Sequence, residues 1–235
     1  MHALVIGGSG GIGLALVKQL CQDLRFTRIS ATWHSHPANY QHPKLHWTQL
    51  DIRKENDISK LFADMTQLDW LINSAGLLHN SALRPEKSLA ECHSEAFMLN
   101  MHINALPCIL LAKHSAKLLK QSKTAIFASI SAKLASIEDN RIGGWYSYRC
   151  AKAAQNMALK SISIEWRRSH PNCCVAALHP GTTDTPLSQP YQNNVPAAQL
   201  FTPGQSANYL LAILHQLKAC DSGQFWSWDG QKLPW

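Results

Sequence analysis

The chain has 235 residues, of which 46% are hydrophobic and 16% charged, which fits one α/β domain with a sizeable core and is too short for two comfortable ones. Its formal charge is +7, but lysines and arginines are scattered along the chain rather than gathered in a stripe, which argues against a nucleic-acid partner. No charged-then-apolar leader precedes the first strand, and no unbroken apolar run nears the about 18 residues of a membrane span, so a cytoplasmic protein with no membrane contact is expected.

The chain opens "MHALVIGG", an apolar run ended by glycines, and "GIGLALVKQLCQDL" follows with helical periodicity, giving strand, tight turn and helix. "RISATW" and "KLHWTQLDI" read as the second and third strands. "ENDISKLFADMTQ" reads as a helix that leads to a fourth strand, "LDWLINSAG". The histidines between strands two and three, His34, His36, His42 and His46, lie in a proline-containing polar stretch without zinc-type spacing, so no metal is expected.

One long helix is expected from about Ser88 through Gln121, followed by a fifth strand in "TAIFASIS". A loop with Gly143 and Gly144 precedes the helix that carries Tyr148 and runs through Arg168. "NCCVAALHPG" is the sixth strand. Its adjacent Cys173 and Cys174 are expected to pack as small hydrophobes, and all seven cysteines to be reduced thiols. "DTPLSQPYQNNVPAAQLF" is rich in Pro, Asn and Gln and reads as a mobile loop. The next helix starts with Thr202, Pro203 and Gln205 in cap, first-turn and capping-box positions, and "GQFWSWDG" is the last strand. Strands alternating with helices predict one α/β domain over residues 1–235, a parallel sheet of about seven strands covered on both faces.

Two local patterns carry chemistry. In "VIGGSGGIG", Gly7, Gly11 and Gly13 follow the first strand and open the first helix. Glycines there permit a tight turn and close backbone approach, so that the helix-start amides can face a dinucleotide pyrophosphate. Gly10 leaves two spacings open, G-x-x-x-G-x-G and G-x-x-G-x-x-G, and no lysine follows to make a phosphate-transfer loop. In "GGWYSYRCAKAA", Tyr148 lies four residues before Lys152 and Tyr146 six before it. On a helix, four residues bring two side chains within about 40° of each other, whereas six leave them about 120° apart. Tyr148 and Lys152 can therefore act together, and a phenol beside an ammonium is expected to have a lowered pKa, suited to proton transfer.

With "GGSGGIG", "NSAG" at 73–76, "YRCAK" at 148–152 and "PGTTDT" from Pro180 in this order, the chain resembles a short-chain dehydrogenase/reductase over nearly its whole length. The stretches "SIEDNRIGGWYSYRCAKAAQNM" and "FWSWDGQKLPW" resemble the branch of C-factor-like proteins and small carbonyl reductases. The resemblance implies a doubly wound Rossmann-type sheet. Length favours the first glycine spacing, because extended relatives that use the second carry a larger C-terminal part.

The resemblance also implies roles for particular residues. Tyr148 exchanges a proton with the substrate oxygen, while Lys152 lowers its pKa and bonds the nicotinamide ribose. Asn104, in "INALP", holds a relay water, with Asn100 one turn earlier as its competitor. Ser131 orients the carbonyl, although Ala132 is an alternative for that column and Ser129 shares the strand face with Ser131.

For the cofactor, Gly7, Ser9, Gly10, Gly11, Ile12 and Gly13 match the pyrophosphate loop, and Asp51 and Ile52 the adenine position. Asn73, Ala75 and Gly76 match the segment bordering the adenosine ribose, and Pro180, Gly181, Thr183 and Thr185 that around the nicotinamide. Strand two ends in Trp33, His34 and Ser35 without the acid that NAD-preferring relatives place there. A 2′-phosphate is thus tolerated, and His34 and Ser35 could contact it. NADP(H) is favoured and NAD(H) possible, although Gly10 stands where a basic residue is often found.

The implied activity is hydride transfer between NADP(H) and a carbonyl or alcohol. A C-factor-like dinucleotide-binding signalling or scaffold protein with little turnover is the alternative, and length disfavours a sugar-nucleotide epimerase. A substrate loop at about 184–201 with few charges, near Trp145 and Tyr146, suggests an apolar or neutral small-molecule carbonyl. A homodimer or homotetramer through the two long helices is expected.

Overall fold

A computed structural model describes residues 1–81, 83–193 and 195–235. In chain order the main sheet is built from β1 (His2–Ile6), β2 (Arg28–Trp33), β3 (Leu45–Gln49), β4 (Trp70–Asn73), β5 (Ala125–Ile130), β6 (Cys173–His179) and, after a small pair, β9 (Gln224–Ser227). The helices are α1 (Gly11–Gln22), α2 (Glu55–Ala63), α3 (Ser94–Asn100), α4 (Leu106–Gln121), α5 (Tyr146–Ser169) and α6 (Pro203–Gln216).

The seven strands lie in the order β3-β2-β1-β4-β5-β6-β9, and every pairing is parallel. The chain therefore winds outward from β1 to β3, returns to place β4 beside β1, and winds outward the other way. Such a reversal opens a crevice at the carboxyl ends of the central strands, where doubly wound folds bind ligands. The expected seven-stranded parallel sheet is present.

Both faces of the sheet are covered, which is why β1 reads as an uninterrupted apolar run. Successive side chains point to opposite sides. Ala3 and Val5 join the core formed with Leu16 and Leu20 of α1 and Leu210 and Leu214 of α6. Leu4 and Ile6 join the core formed with Leu61 of α2, Leu111 of α4 and Leu159 and Trp166 of α5. All seven cysteines are unpaired, and Cys173 and Cys174 are buried within β6.

The long helix expected from Ser88 is broken up. A 3-10 turn spans Leu89–Glu91, α3 begins at Ser94, and a π-helical stretch, Met101–Ala105, separates α3 from α4. Pro107, in the first turn of α4, accounts for the interruption, because proline lacks the N–H needed to continue the regular ladder. The composite Ser94–Gln121 is long and apolar enough to cross a membrane by length and composition. The sequence reading found no such run because Asn100, His102 and Asn104 interrupt it. In the fold this composite packs against α2, α5 and β5.

The loop expected to be mobile is bracketed by a two-stranded parallel ribbon, β7 (Thr182–Thr183) and β8 (Leu200–Phe201), which the sequence did not disclose. Between them, 3-10 turns occur at Gln189–Tyr191 and Ala197–Gln199. β8 delivers the chain into α6, whose capping box forms as expected: the Gln205 amide donates to Thr202 Oγ1 at 3.2 Å, and the Thr202 amide to Gln205 Oε1 at 2.9 Å. Thr202→Ala is expected to lower the unfolding free energy by about 1 kcal/mol, seen as a lower denaturant midpoint at unchanged slope. An unchanged midpoint would mean that packing alone sets the start of α6.

Candidate functional site

The glycine loop is shaped by backbone contacts that admit no side chain. Gly7 has φ +73°, and a Cβ there would lie 2.9 Å from the amide of Ala75. A Cβ on Gly13 would lie 2.2 Å from the Gly7 carbonyl oxygen. The two contacts hold the start of α1 against β1 and against the segment after β4. Gly10 caps α1 without a side-chain hydrogen bond, so the first amides of the helix stay available to an anion. These features fit the pyrophosphate of a dinucleotide.

A cavity of about 620 Å³ runs from this loop across the ends of the strands. Gly10, Gly11, Ile12 and Gly13 line one end, with Ala75 and Gly76 from the segment after β4. Pro180, Gly181, Thr183 and Thr185 line the far wall, and Ser131, Tyr148 and Lys152 the middle. Gly7, Ser9, Asn73 and Asn104 stand outside this lining, as do Trp33, His34, Ser35, Asp51 and Ile52 at the ends of β2 and β3.

At the ends of β2 and β3, Ser35 Oγ and His34 Nδ1 are 2.9 Å apart, and His34 Nε2 lies 4.0 Å from Asp51 Oδ1. Arg53 grips both carboxylate oxygens of Asp51 at 2.8 Å each. Its hydrogen bonds hold that carboxyl at about 2. Arg53 did not stand out in the sequence, because nothing there showed that it folds back on Asp51.

Asn73 turns inward. Its Oδ1 accepts from the Ala75 amide at 3.2 Å, and its Nδ2 donates to Ser129 Oγ at 3.1 Å. Asn104 pins the backbone of Leu77: Oδ1 accepts its amide at 2.9 Å and Nδ2 donates to its carbonyl at 2.8 Å. Asn104 Nδ2 also donates to Asn100 Oδ1 at 3.0 Å. A Cβ on Gly76 would come within 3.2 Å of Asn104 Oδ1 and 3.6 Å of Lys152 Nζ, so the missing side chain keeps a gap between them.

Of the candidates at the end of β5, Ser131 and Ala132 line the cavity, while Ser129 is wholly buried behind it. Ser131 Oγ donates to Asn156 Oδ1 at 2.7 Å. Asn156 Nδ2 is buried and, among the described residues, finds no partner. In this arrangement the serine proton is committed to Asn156.

Tyr148 and Lys152 share the buried face of α5, as their spacing predicts, and both line the cavity; Tyr146 does not. The expected acidification of the phenol is not found. Lys152 Nζ sits 6.0 Å from the centre of the Tyr148 ring and bonds the Ile130 carbonyl and Gln155 Oε1, each at 2.9 Å. Burial dominates at Tyr148 and pushes its phenol above the ordinary value, because a buried phenolate loses its hydration. Burial also lowers the Lys152 ammonium to about 8.

The entry to α5 is unusual. Gly143, Gly144 and Trp145 are consecutively left-handed, Trp145 with φ +54°. Buried Glu86 secures them: its carboxylate accepts from the Ser147 amide at 3.2 Å and from the Ser147 hydroxyl, and its carbonyl accepts from the Trp145 amide. The Trp145 ring meets Tyr191, in the segment between β7 and β8, at 4.9 Å. His79 bonds the Pro186 carbonyl at 3.0 Å from the other side. Leu78, Leu134, Leu187 and Val195 complete an apolar mouth. His179 also lines it, its imidazole lowered to about 4 chiefly by burial and hence neutral.

The sequence reading missed Glu86, Gln155 and Asn156. Gln155 and Asn156 left a signal, being three and four residues beyond Lys152 on one helix face. Glu86 left none.

The family model for short chain dehydrogenases matches residues 1–196. C-signal of Myxococcus xanthus is 30% identical over 168 residues, 72% of this chain and 93% of that protein. An uncharacterized oxidoreductase of Schizosaccharomyces pombe is 27% identical over 98% of this chain and 96% of its own. Among solved structures, the NADPH-bound carbonyl reductase from chicken fatty liver superposes with a TM-score of 0.88 at 24% identity, covering 100% of this chain and 94% of the other. The carbonyl reductase Sniffer of D. melanogaster gives 0.84 at 24% identity, covering 100% and 99%. With its glycine cradle, its Tyr148–Lys152 pair and a family match over most of its length, this chain belongs to the short-chain dehydrogenase family and is C-signal-like within it.

Proposed function

We propose that the protein is a cytoplasmic NADP(H)-dependent carbonyl reductase. The observation that carries this reading is the meeting of Ser131, Tyr148 and Lys152 on the wall of the cavity that begins at the glycine loop. The bound nicotinamide supplies and accepts the hydride. Everything else falls to the chain's own residues. Amides at the start of α1 hold the pyrophosphate. Tyr148, kept protonated by burial, donates its proton to the carbonyl oxygen as the alcohol forms. Ser131, once its proton is released from Asn156 Oδ1, fixes that oxygen, and Lys152 places positive charge beside the developing phenolate. Asn104 and the gap at Gly76 leave room for a water that returns the proton.

Preference for NADP(H) is supported by the ending of β2, which carries no acid to repel a 2′-phosphate. His34, Ser35 and Arg53 provide polar or positive groups nearby. Titration with NADPH and NADH, followed by nicotinamide fluorescence, is expected to show tighter NADPH binding. Tighter NADH binding reverses the preference and leaves the rest of the reading standing. The apolar mouth of Trp145, Tyr191, Leu134 and Leu187 suits a bulky uncharged ketone or aldehyde.

Similarity to C-signal supports one other reading, a dinucleotide-binding signalling protein with little turnover. Tyr148→Phe separates the two. A reductase is expected to lose about 10²-fold or more of its turnover while NADPH binding survives; near wild-type turnover in this variant defeats the catalytic assignment. Tight NADPH binding by the wild type, with no turnover across a panel of apolar ketones, aldehydes and quinones, favours signalling.

Reduction needs Tyr148 and Lys152 protonated. Its kcat/KM is therefore expected to fall as pH rises through about 8, where Lys152 gives up its proton. A flat reduction profile between pH about 6 and about 9.5 would remove Lys152 from the reaction.

A further inference from the structure

The buried face of α5 continues past Tyr148 and Lys152 to Gln155, whose side chain is fully enclosed. A buried amide is costly unless both of its ends are satisfied, and here both are. Gln155 Oε1 accepts from Lys152 Nζ at 2.9 Å. Gln155 Nε2 donates to Ser129 Oγ and, at 3.3 Å, to the Ile130 carbonyl. The chemistry of the neighbours fixes this orientation: a backbone carbonyl can only accept and an ammonium can only donate. Behind Gln155, Ser129 Oγ also accepts from Asn73 Nδ2 at 3.1 Å. A hydrogen-bonded line thus runs Asn73–Ser129–Gln155–Lys152, from the segment after β4 to the ammonium.

Few charged groups face Lys152. Tyr148 lies beside it on α5, and Cys108 of α4 is the other titratable neighbour, its thiol raised to about 12 by burial and so neutral. Asn104 and Gly76 approach from the third side and carry no charge. Among the described residues no carboxylate pairs with Lys152. The ammonium is held by two neutral oxygens, those of Ile130 and Gln155.

We propose that Gln155 is a positioning residue, whose amide oxygen keeps Lys152 protonated and fixed in the place from which it supports Tyr148. The proposal rests on the reading of Lys152 given above. Gln155 is fully buried and stands outside the cavity lining, so it acts through Lys152. Removing its oxygen leaves the buried charge with one acceptor and weakens proton affinity. Replacing the amide with a carboxylate strengthens it.

The test is the titration of Lys152 itself, followed by NMR in protein carrying ¹³C at the lysine ε carbons, with the Lys152 signal assigned by its loss in Lys152→Met. Gln155→Leu is expected to move the Lys152 midpoint down, and Gln155→Glu up, each by about one pH unit, about tenfold in proton affinity. A residue that merely fills space would move neither, or both in the same direction, and that result overturns the proposal. Should Gln155→Leu not fold, Gln155→Glu decides alone, an unmoved or lowered midpoint being the contrary result. The pH limb of NADPH-dependent reduction is expected to follow the midpoint in each variant. If the midpoints move as expected but the wild type reduces no carbonyl, the hold on Lys152 stands and the reductase reading falls.

Discussion

A single ammonium, buried with no carboxylate partner among the described residues, sets the terms for the rest of the site. Lys152 is almost wholly enclosed, and burial alone lowers its proton affinity to about 8. A carboxylate would hold the charge more firmly, but it would also raise the affinity for protons and attract the charge away from a neighbouring phenol. Two neutral oxygens instead keep Lys152 within reach of neutral pH, able to respond to a change of charge on Tyr148. The same oxygens tie it to β5 and, through Ser129, to the end of β4. The site is therefore built across α5, β5 and β4 at the crevice that the reversal of strand order opens.

Tyr148 depends on a different device. It is the third residue of α5, so its position is set by how the chain enters that helix. Two glycines can turn left-handed at little cost, but Trp145 adopts the same conformation with a bulky side chain, which is strained unless the surroundings enforce it. Glu86 enforces it, bonding Trp145 and Ser147 from a loop 61 residues earlier than Ser147. The turned Trp145 presents its ring to Tyr191, so the strained residue at the entry to α5 also meets the segment between β7 and β8.

The sequence made local geometry legible and left tertiary choices hidden. The strand–glycine–helix unit and the shared face of Tyr148 and Lys152 follow from periods of 2 and 3.6, which need no partner. Ser129 and Ser131 show where that reasoning stops. Their spacing puts them on one strand face, but only the pairing of Ser129 with Asn73 shows that it lies inside the sheet while Ser131 lies beyond the strand end. The break in the long helix was present in Pro107, yet the apolar residues around it carried the periodicity through. For the phenol, the charge beside Tyr148 could be read from the chain. The burial that outweighs it could not, because burial is a property of every element that packs around the site.

The hydroxyl of Ser131 bears on the direction of the proposed reaction. While it donates to Asn156 Oδ1, only its lone pairs remain for a ligand. A carbonyl brings no proton and needs the serine to donate. Asn156 holds the means to change this, since its Nδ2 is buried without a partner among the described residues. Turning the amide about its last bond places Nδ2 against Ser131 Oγ and frees the serine proton for the carbonyl oxygen. The leftover amide oxygen is then the group without a partner, a lesser cost than an orphaned N–H. Protonated Tyr148 and a freed Ser131 proton would then both be donors at the carbonyl oxygen, whereas in the reverse direction the single hydroxyl proton of the alcohol can pass only to a Tyr148 phenolate. On the proposed reading, one amide rotation therefore decides whether Ser131 can donate to the carbonyl oxygen beside protonated Tyr148.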